Sequence, residues 1–255
     1  MTLKKTSKNI VYLPQFYGNM KCIRYFILAI LKVTNLLKGG ALLKNLIKKA
    51  PYLLFLLVIP LLAKIYELLN SHSHRAIDIS NALDQAIPFL SVFIIPYILW
   101  YAYIFCYLVY FCFKDTKVYL KTLILIVIAE LICFVIYFFF QTTVPRPTIT
   151  DNNVFNHLVL WIYNNDRPFN CFPSIHVLTT FVIMLASLHV KNKHVLNILC
   201  IHGVGTLIII STLFVKQHVI FDMIGSMFLV TFLYGIAFEF LSFSRKTETV
   251  YVKEK

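Results

Sequence analysis

Six apolar runs, at residues 51–69, 87–113, 122–141, 174–190, 195–215 and 218–242, dominate this sequence. Each is near the roughly 20 residues a helix needs to cross the hydrocarbon core of a bilayer. The chain is therefore expected to be all-α, a polytopic membrane protein built as a bundle of six transmembrane helices. Composition agrees, with 59% hydrophobic and 14% charged residues, against roughly 45–50% apolar and 25% charged in a soluble domain. Mean hydropathy is +0.76. The net charge of +13 does not mark a nucleic-acid binder, and no nucleic-acid partner is expected. The cations sit in short blocks between apolar runs, as in the cytoplasmic loops of membrane proteins.

Residues 1–49 form a basic segment, 50–242 the six-helix membrane domain and 243–255 a short tail. Within the first segment, Tyr25 to Lys49 interleaves cations with apolar residues. An interfacial amphipathic helix and a plain cytoplasmic tail are both open readings. The basic start runs into polar residues rather than an early apolar core, so no cleavable signal peptide is expected. Connections are short except 142–173, which is rich in Pro, Asn, Thr and Asp. Inside it, Asn152 to Tyr163 has helical apolar spacing and is expected to lie along the membrane surface.

Lys and Arg outside the spans divide 19 to 4 between the two faces that six spans create, with Lys64 inside the first span. Positive charge marks the cytoplasmic side, so both termini are expected inside. The minority cations are Arg75, Arg146, Arg167 and Lys216. Of the six cysteines only Cys171 falls in a polar loop, and no CxxC pair occurs, so neither a zinc site nor a disulfide framework is suggested.

Arg146, Arg167 and Lys216 flank the densest polar sequence in the chain: Val-Pro-Arg-Pro at 144–147, Asn-Cys-Phe-Pro-Ser-Ile-His at 170–176, and 211–222, which holds Lys216, His218 and Asp222. A hairpin of the fourth and fifth spans returns the chain to the face it left, so His176 and His218 can meet there. His218 and Asp222 stand at i and i+4, on one helix face. A carboxylate on one imidazole nitrogen fixes the tautomer and makes the other a better nucleophile or base. A second histidine can protonate a leaving oxygen. Arg146 and Lys216 can hold a phosphate, and the helix start after Pro173 offers amides to an anion. This set suffices for phosphoryl transfer without a metal or cofactor. The same histidines and Asp222 could also ligate a metal, but the neighbouring cations argue against one.

These three blocks resemble the type 2 phosphatidic acid phosphatase superfamily, whose signature is KxxxxxxRP, PSGH and SRxxxxxHxxxD. The resemblance implies that His218 becomes phosphorylated, Asp222 orients it, His176 protonates the leaving group, and Ser174 and Arg146 bind phosphate. The wording around 170–176 and 214–218 is similar to the branch that includes inositol phosphorylceramide synthases. Three positions depart from the signature: Phe139 stands for its lysine, Thr212 for its second arginine and Ile175 for the PSGH glycine. Lys216 can replace at most one missing cation.

The expected activity is hydrolysis of a membrane lipid phosphate at the non-cytoplasmic face, through a phosphohistidine. Transfer of the phosphoryl headgroup to an alcohol shares the chemistry up to that intermediate and remains open, as does a non-catalytic carrier. Of the other polar residues, His72 and His74 read as plain loop residues. His202 is expected to bond a neighbouring helix, Glu130 to face protein, and Lys64 to pair with Glu67.

Overall fold

The computed structural model describes residues 41–70 and 76–240. His72, His74, Arg75, the tail and residues 1–40 lie outside them, so of the Tyr25–Lys49 stretch only 41–49 is described, and that part is helical. The chain divides into two units, Met1–Pro51 and Tyr52–Lys255; the site lies wholly within the second.

The elements run α1 (Ala41–Leu54), a 3-10 turn, α2 (Val58–Asn70), β1 (Ile77–Asp78), α3 (Ala82–Ala86), a second 3-10 turn, α4 (Ile94–Lys114), α5 (Thr116–Phe139), β2 (Thr142–Thr143), α6 (Val154–Asn165), α7 (Ile175–Ser187), α8 (Val195–Phe214) and α9 (Ile220–Tyr234), which ends in a π turn at Gly235–Phe240. The fold is an all-α bundle. The two-residue strands β1 and β2 pair in parallel, Ile77 opposite Thr142. Asp115 ends α4 and caps α5, its carboxylate accepting from the amides of Lys117 and Val118, so one residue reverses the chain.

Five stretches are long and apolar enough to cross a membrane: Lys44–Asn70, Ser91–Lys114, Thr116–Phe139, Val195–Phe214 and Ile220–Phe238. The protein is an integral membrane protein. The expected fourth span, 174–190, is shorter than the others, as the helix Ile175–Ser187 has 13 residues. At 1.5 Å per residue it runs only about 20 Å, short of a core about 30 Å thick. Irregular backbone at membrane depth is tolerated where protein surrounds it. The segment leading into α7 meets that condition, with Asn170, Cys171 and Ser174 each at most 3% exposed.

α7 is the most buried helix and packs between α5, α8 and α9. Gly205 lets α8 close on it: a Cβ there would lie 2.8 Å from Met184 Sδ and 2.9 Å from Tyr103 Oη. Large apolar side chains such as Phe138, Phe228 and Phe232 face outward, as a lipid-facing surface requires. Glu130 is buried against protein, where a carboxyl costs less than in hydrocarbon. Lys64 pairs with Glu67 at 2.6 Å, and His202 Nε2 meets Ser187 Oγ of α7 at 3.4 Å.

α6 begins at the Asn153 cap and buries Val159 and Ile162 against Ile94, Tyr97 and Val215. Its other face exposes Val154 and Trp161. One end of the bundle thus gathers the end of α2, the 76–93 segment, the 140–174 segment and the α8–α9 turn, and all three polar blocks lie there.

Candidate active site

The α8–α9 turn carries His218. Gln217 N–H donates to Thr212 O at 3.1 Å and Lys216 N–H to Leu213 O at 3.1 Å, the paired bonds that close a helix C-terminus in a Schellman turn. Such a turn needs a left-handed residue after the cap, and Lys216 takes that place with φ 53°. The chain then enters α9 with Val219 as its N-cap. Asp222 lies in the first turn, where the helix dipole favours an anion. Its Oδ2 accepts from Val219 N–H at 3.0 Å and stands 3.2 Å from His218 Nδ1. Nε2 of His218 is then the nitrogen left for chemistry.

His176 sits in the first turn of α7. Ser174 caps that helix, its Oγ accepting from Val177 N–H at 3.3 Å, and is itself fully buried. Several bonds hold the approach to α7. Thr142 Oγ1 accepts from Cys171 N–H at 3.1 Å and Phe172 N–H at 2.8 Å, and the Tyr137 hydroxyl donates to Pro173 O. Ser226 Oγ lies 3.0 Å from Ser174 O and 2.6 Å from Asp222 O, linking the second and third blocks. Gly225 leaves room for Phe172, since a Cβ there would lie 2.3 Å from its ring.

The two histidine rings are neighbours, with centroids 5.7 Å apart and planes tilted at 56°. Tyr97 and Trp100 of α4 flank His176 at 4.6 and 4.3 Å, and Trp100 Nε1 is held by Thr179 Oγ1 at 2.9 Å. Nε2 of His176 is buried with no hydrogen-bond partner among the described residues. Reacting atoms approach to about 3–3.5 Å, and a proton donor lies about 2.6–3.2 Å from its acceptor. For the pair to act together, both rings have to reach one phosphate ester within these distances.

Arg146 lies over the Tyr163 ring at 4.2 Å. It donates to Tyr163 O at 3.1 Å, to Asp166 O at 2.8 Å and to Gln217 Oε1 at 2.5 Å. Its Nε and the Gln217 amide nitrogen are buried donors without partners among the described residues. Lys216 Nζ donates to the carbonyls of Asp84, at 2.8 Å, and Ile87, at 2.5 Å. An ammonium has three protons, so one remains for a ligand. Burial holds the Lys216 amine below its usual range, partly offset by Asp84. Arg146, Lys216 and His218 line a cleft of about 460 Å³ together with Ile87, Phe89, Val144 and Leu213. His176 and Ser174 are not among the residues that line it.

The structure also adds residues that sequence reasoning missed. Asp84 Oδ1 accepts from Ile220 N–H, the first amide of α9, at 2.8 Å, while its other oxygen closes the capping box of α3 on Asn81 N–H. Asn81-x-x-Asp84 is a readable helix start, but its tie to α9 has no sequence signal. Asp166 Oδ1 accepts from Tyr66 Oη at 3.0 Å and Asn70 Nδ2 at 2.8 Å. Burial raises the Asp166 carboxyl above its usual range, with the Arg146 charge opposing. Of the residues that can bind metal, Cys171 rather than His176 groups with His218 and Asp222, their ligand atoms lying within 4.8 Å of one another.

Two of the three departures from the family signature have a structural reading. Phe139 is 81% exposed and points outward, and Thr212 is buried with its hydroxyl on Ile209 O. Residues 118–246 match the PAP2 superfamily. No curated protein and no solved structure matches the chain.

Proposed function

This chain belongs to the PAP2 superfamily, and on that footing we propose that it is a membrane lipid-phosphate phosphatase working through a phosphohistidine. As a member it is a phosphatase or phosphotransferase, which leaves no support for the non-catalytic carrier. The finer reading rests above all on one observation, the neighbouring rings of His176 and His218 with Asp222 on Nδ1 of His218.

In the proposed mechanism Asp222 holds Nδ1–H of His218, so Nε2 presents its lone pair to phosphorus. The N–P bond forms as the P–O bond to the lipid breaks. His176, protonated for this step, gives its proton to the departing oxygen and becomes neutral. Water then attacks the phosphohistidine, passing a proton to His176 as the N–P bond breaks, and inorganic phosphate leaves. Arg146, the third proton of Lys216 and the α7 amides behind the Ser174 cap bind the phosphoryl oxygens. The apolar wall of the cleft, Ile87, Phe89, Val144 and Leu213, suits the glycerol and acyl portion of a lipid. No cofactor enters the scheme. By the charge split, the active site opens on the extracytoplasmic side and both termini are cytoplasmic.

Transfer to an alcohol, the chemistry of the inositol phosphorylceramide synthase branch, is favoured by a different observation. With Phe139 and Thr212 in place of two cations and Asp84 and Asp166 nearby, the site carries less positive charge than the signature provides. A singly charged phosphodiester suits such a site better than a dianionic monoester. Purified protein incubated with monoester and diester phospholipids, with and without polyol or sphingoid acceptors, separates the two. Phosphate released from monoesters without an acceptor supports the phosphatase. Headgroup transferred only when an acceptor is present would replace it with the transferase.

A further inference from the structure

Cys171 takes no part in the phosphoryl-transfer scheme, yet its Sγ, a nitrogen of His218 and a carboxylate oxygen of Asp222 all lie within 4.8 Å of one another. The three are enclosed: Cys171 is 3% exposed, Asp222 fully buried and the His218 side chain 9% exposed. Asp222 also has an oxygen to spare. Oδ2 serves His218 and Val219, while Oδ1 is buried with no hydrogen-bond partner among the described residues. A buried carboxylate oxygen without a donor is costly, and a cation would satisfy it.

We infer that Cys171, His218 and Asp222 form an inhibitory binding site for a soft divalent cation of the Zn2+ class. Thiolate, imidazole and carboxylate are the ligand types Zn2+ takes, with a fourth position left for water or a phosphate oxygen. Bonds of about 2.0–2.3 Å in a tetrahedron put ligand atoms about 3.3–3.7 Å apart, so these donors need converge by only about 1 Å. Hard ions such as Mg2+ prefer all-oxygen octahedra, which this set does not supply. Binding forms the S–metal bond as the thiol proton leaves to solvent, with no change of oxidation state. Without metal, Cys171 is a spectator. The bound ion takes a nitrogen of His218 and an oxygen of Asp222, and the imidazole is no longer free to attack phosphorus.

The inhibitory half rests on the proposed role of His218, while the binding half stands on geometry alone. The test therefore reads both on the detergent-purified full chain, stripped with chelator. In protein whose other five cysteines are replaced, Co2+ should give a sulfur-to-metal charge-transfer band saturating at one equivalent, absent from Cys171→Ser and Cys171→Ala. Zn2+ should inhibit phosphate release by the wild type, reversibly with EDTA, while Mg2+ does nothing. The Cys171 variants should keep basal turnover and need at least tenfold more Zn2+. Equal Zn2+ sensitivity in the wild type and the folded Cys171 variants, or no Cys171-dependent band, overturns the inference. A band in protein that releases no phosphate leaves the metal site standing and removes the phosphatase reading. Activity lost in EDTA and restored by Zn2+ would overturn the inhibitory role.

Discussion

Among the described residues, His176 is held by its neighbours' rings rather than by a side-chain hydrogen bond. Tyr97 and Trp100 pack against its ring, and Nε2 has no hydrogen-bond partner among the described residues, which in the proposed mechanism leaves it to serve a leaving oxygen. His176→Ala removes that proton donor and keeps the nucleophile. Turnover of a lipid alkyl phosphate should then fall by about 10²–10⁴-fold, and turnover of a nitrophenyl phosphate, which departs as a stable anion, by far less. Equal losses on both substrates would show that His176 acts otherwise. Asp166 gives a pH prediction. Burial raises its carboxyl, so the fold favours the protonated form. That contribution is full below the unfolded value of about 4 and is lost as pH rises through the folded value. Asp166→Asn still accepts from Tyr66 and Asn70 but cannot ionise. Its melting temperature relative to wild type should rise as pH increases above about 4; a flat difference would contradict the assignment.

The element that carries most here is the α8–α9 turn, and it shows where sequence reading stops. His218 and Asp222 were legible because a helical i, i+4 spacing is local information. The helix start after Pro173 was legible for the same reason. Asp84 was not: it reaches the first amide of α9 across 136 positions, and only the folded 76–93 segment brings it there. Nor was the commitment of Lys216, a minority-side cation in the sequence, which spends two donors on the carbonyls of Asp84 and Ile87. Cys171 read as an isolated loop cysteine because its neighbours His218 and Asp222 come from another block. The left-handed backbone at Lys216 separates its two roles. Lys216→Gly relieves about 1–2 kcal/mol of strain that Lys216→Ala retains, while both lose the ammonium. The glycine variant should be the more stable of the two, and both should lose kcat/KM similarly if the charge matters at the cleft. Wild-type kinetics in the glycine variant would confine the lysine to holding the turn.

For the whole molecule, the apolar runs gave the helical bundle directly, because hydrocarbon permits so few backbone solutions. Five runs became helices of spanning length. The fourth became a shorter helix because its polar lead-in, 170–174, is buried as irregular backbone at the site. Hydropathy alone cannot separate those two uses of an apolar neighbourhood. We take 50–242 as the membrane domain, with basic segments on either side. From the 19-to-4 division of Lys and Arg we propose that the site end of the bundle lies outside. A single cysteine at the exposed position Asn152, in a variant with the native six replaced, should react with an impermeant maleimide in intact cells. Labelling only after lysis would invert the protein and place the site in the cytoplasm.

The central claim is that His218 carries the phosphoryl group, and trapping it tests this most directly. Wild-type protein mixed with a ³²P-labelled lipid phosphate and quenched in base should retain label that acid releases, as a phosphoramidate does. His218→Ala should retain none, while Asp222→Asn should retain a little, through an imidazole no longer held in orientation. Acid-stable label, or label persisting in His218→Ala, would contradict the account.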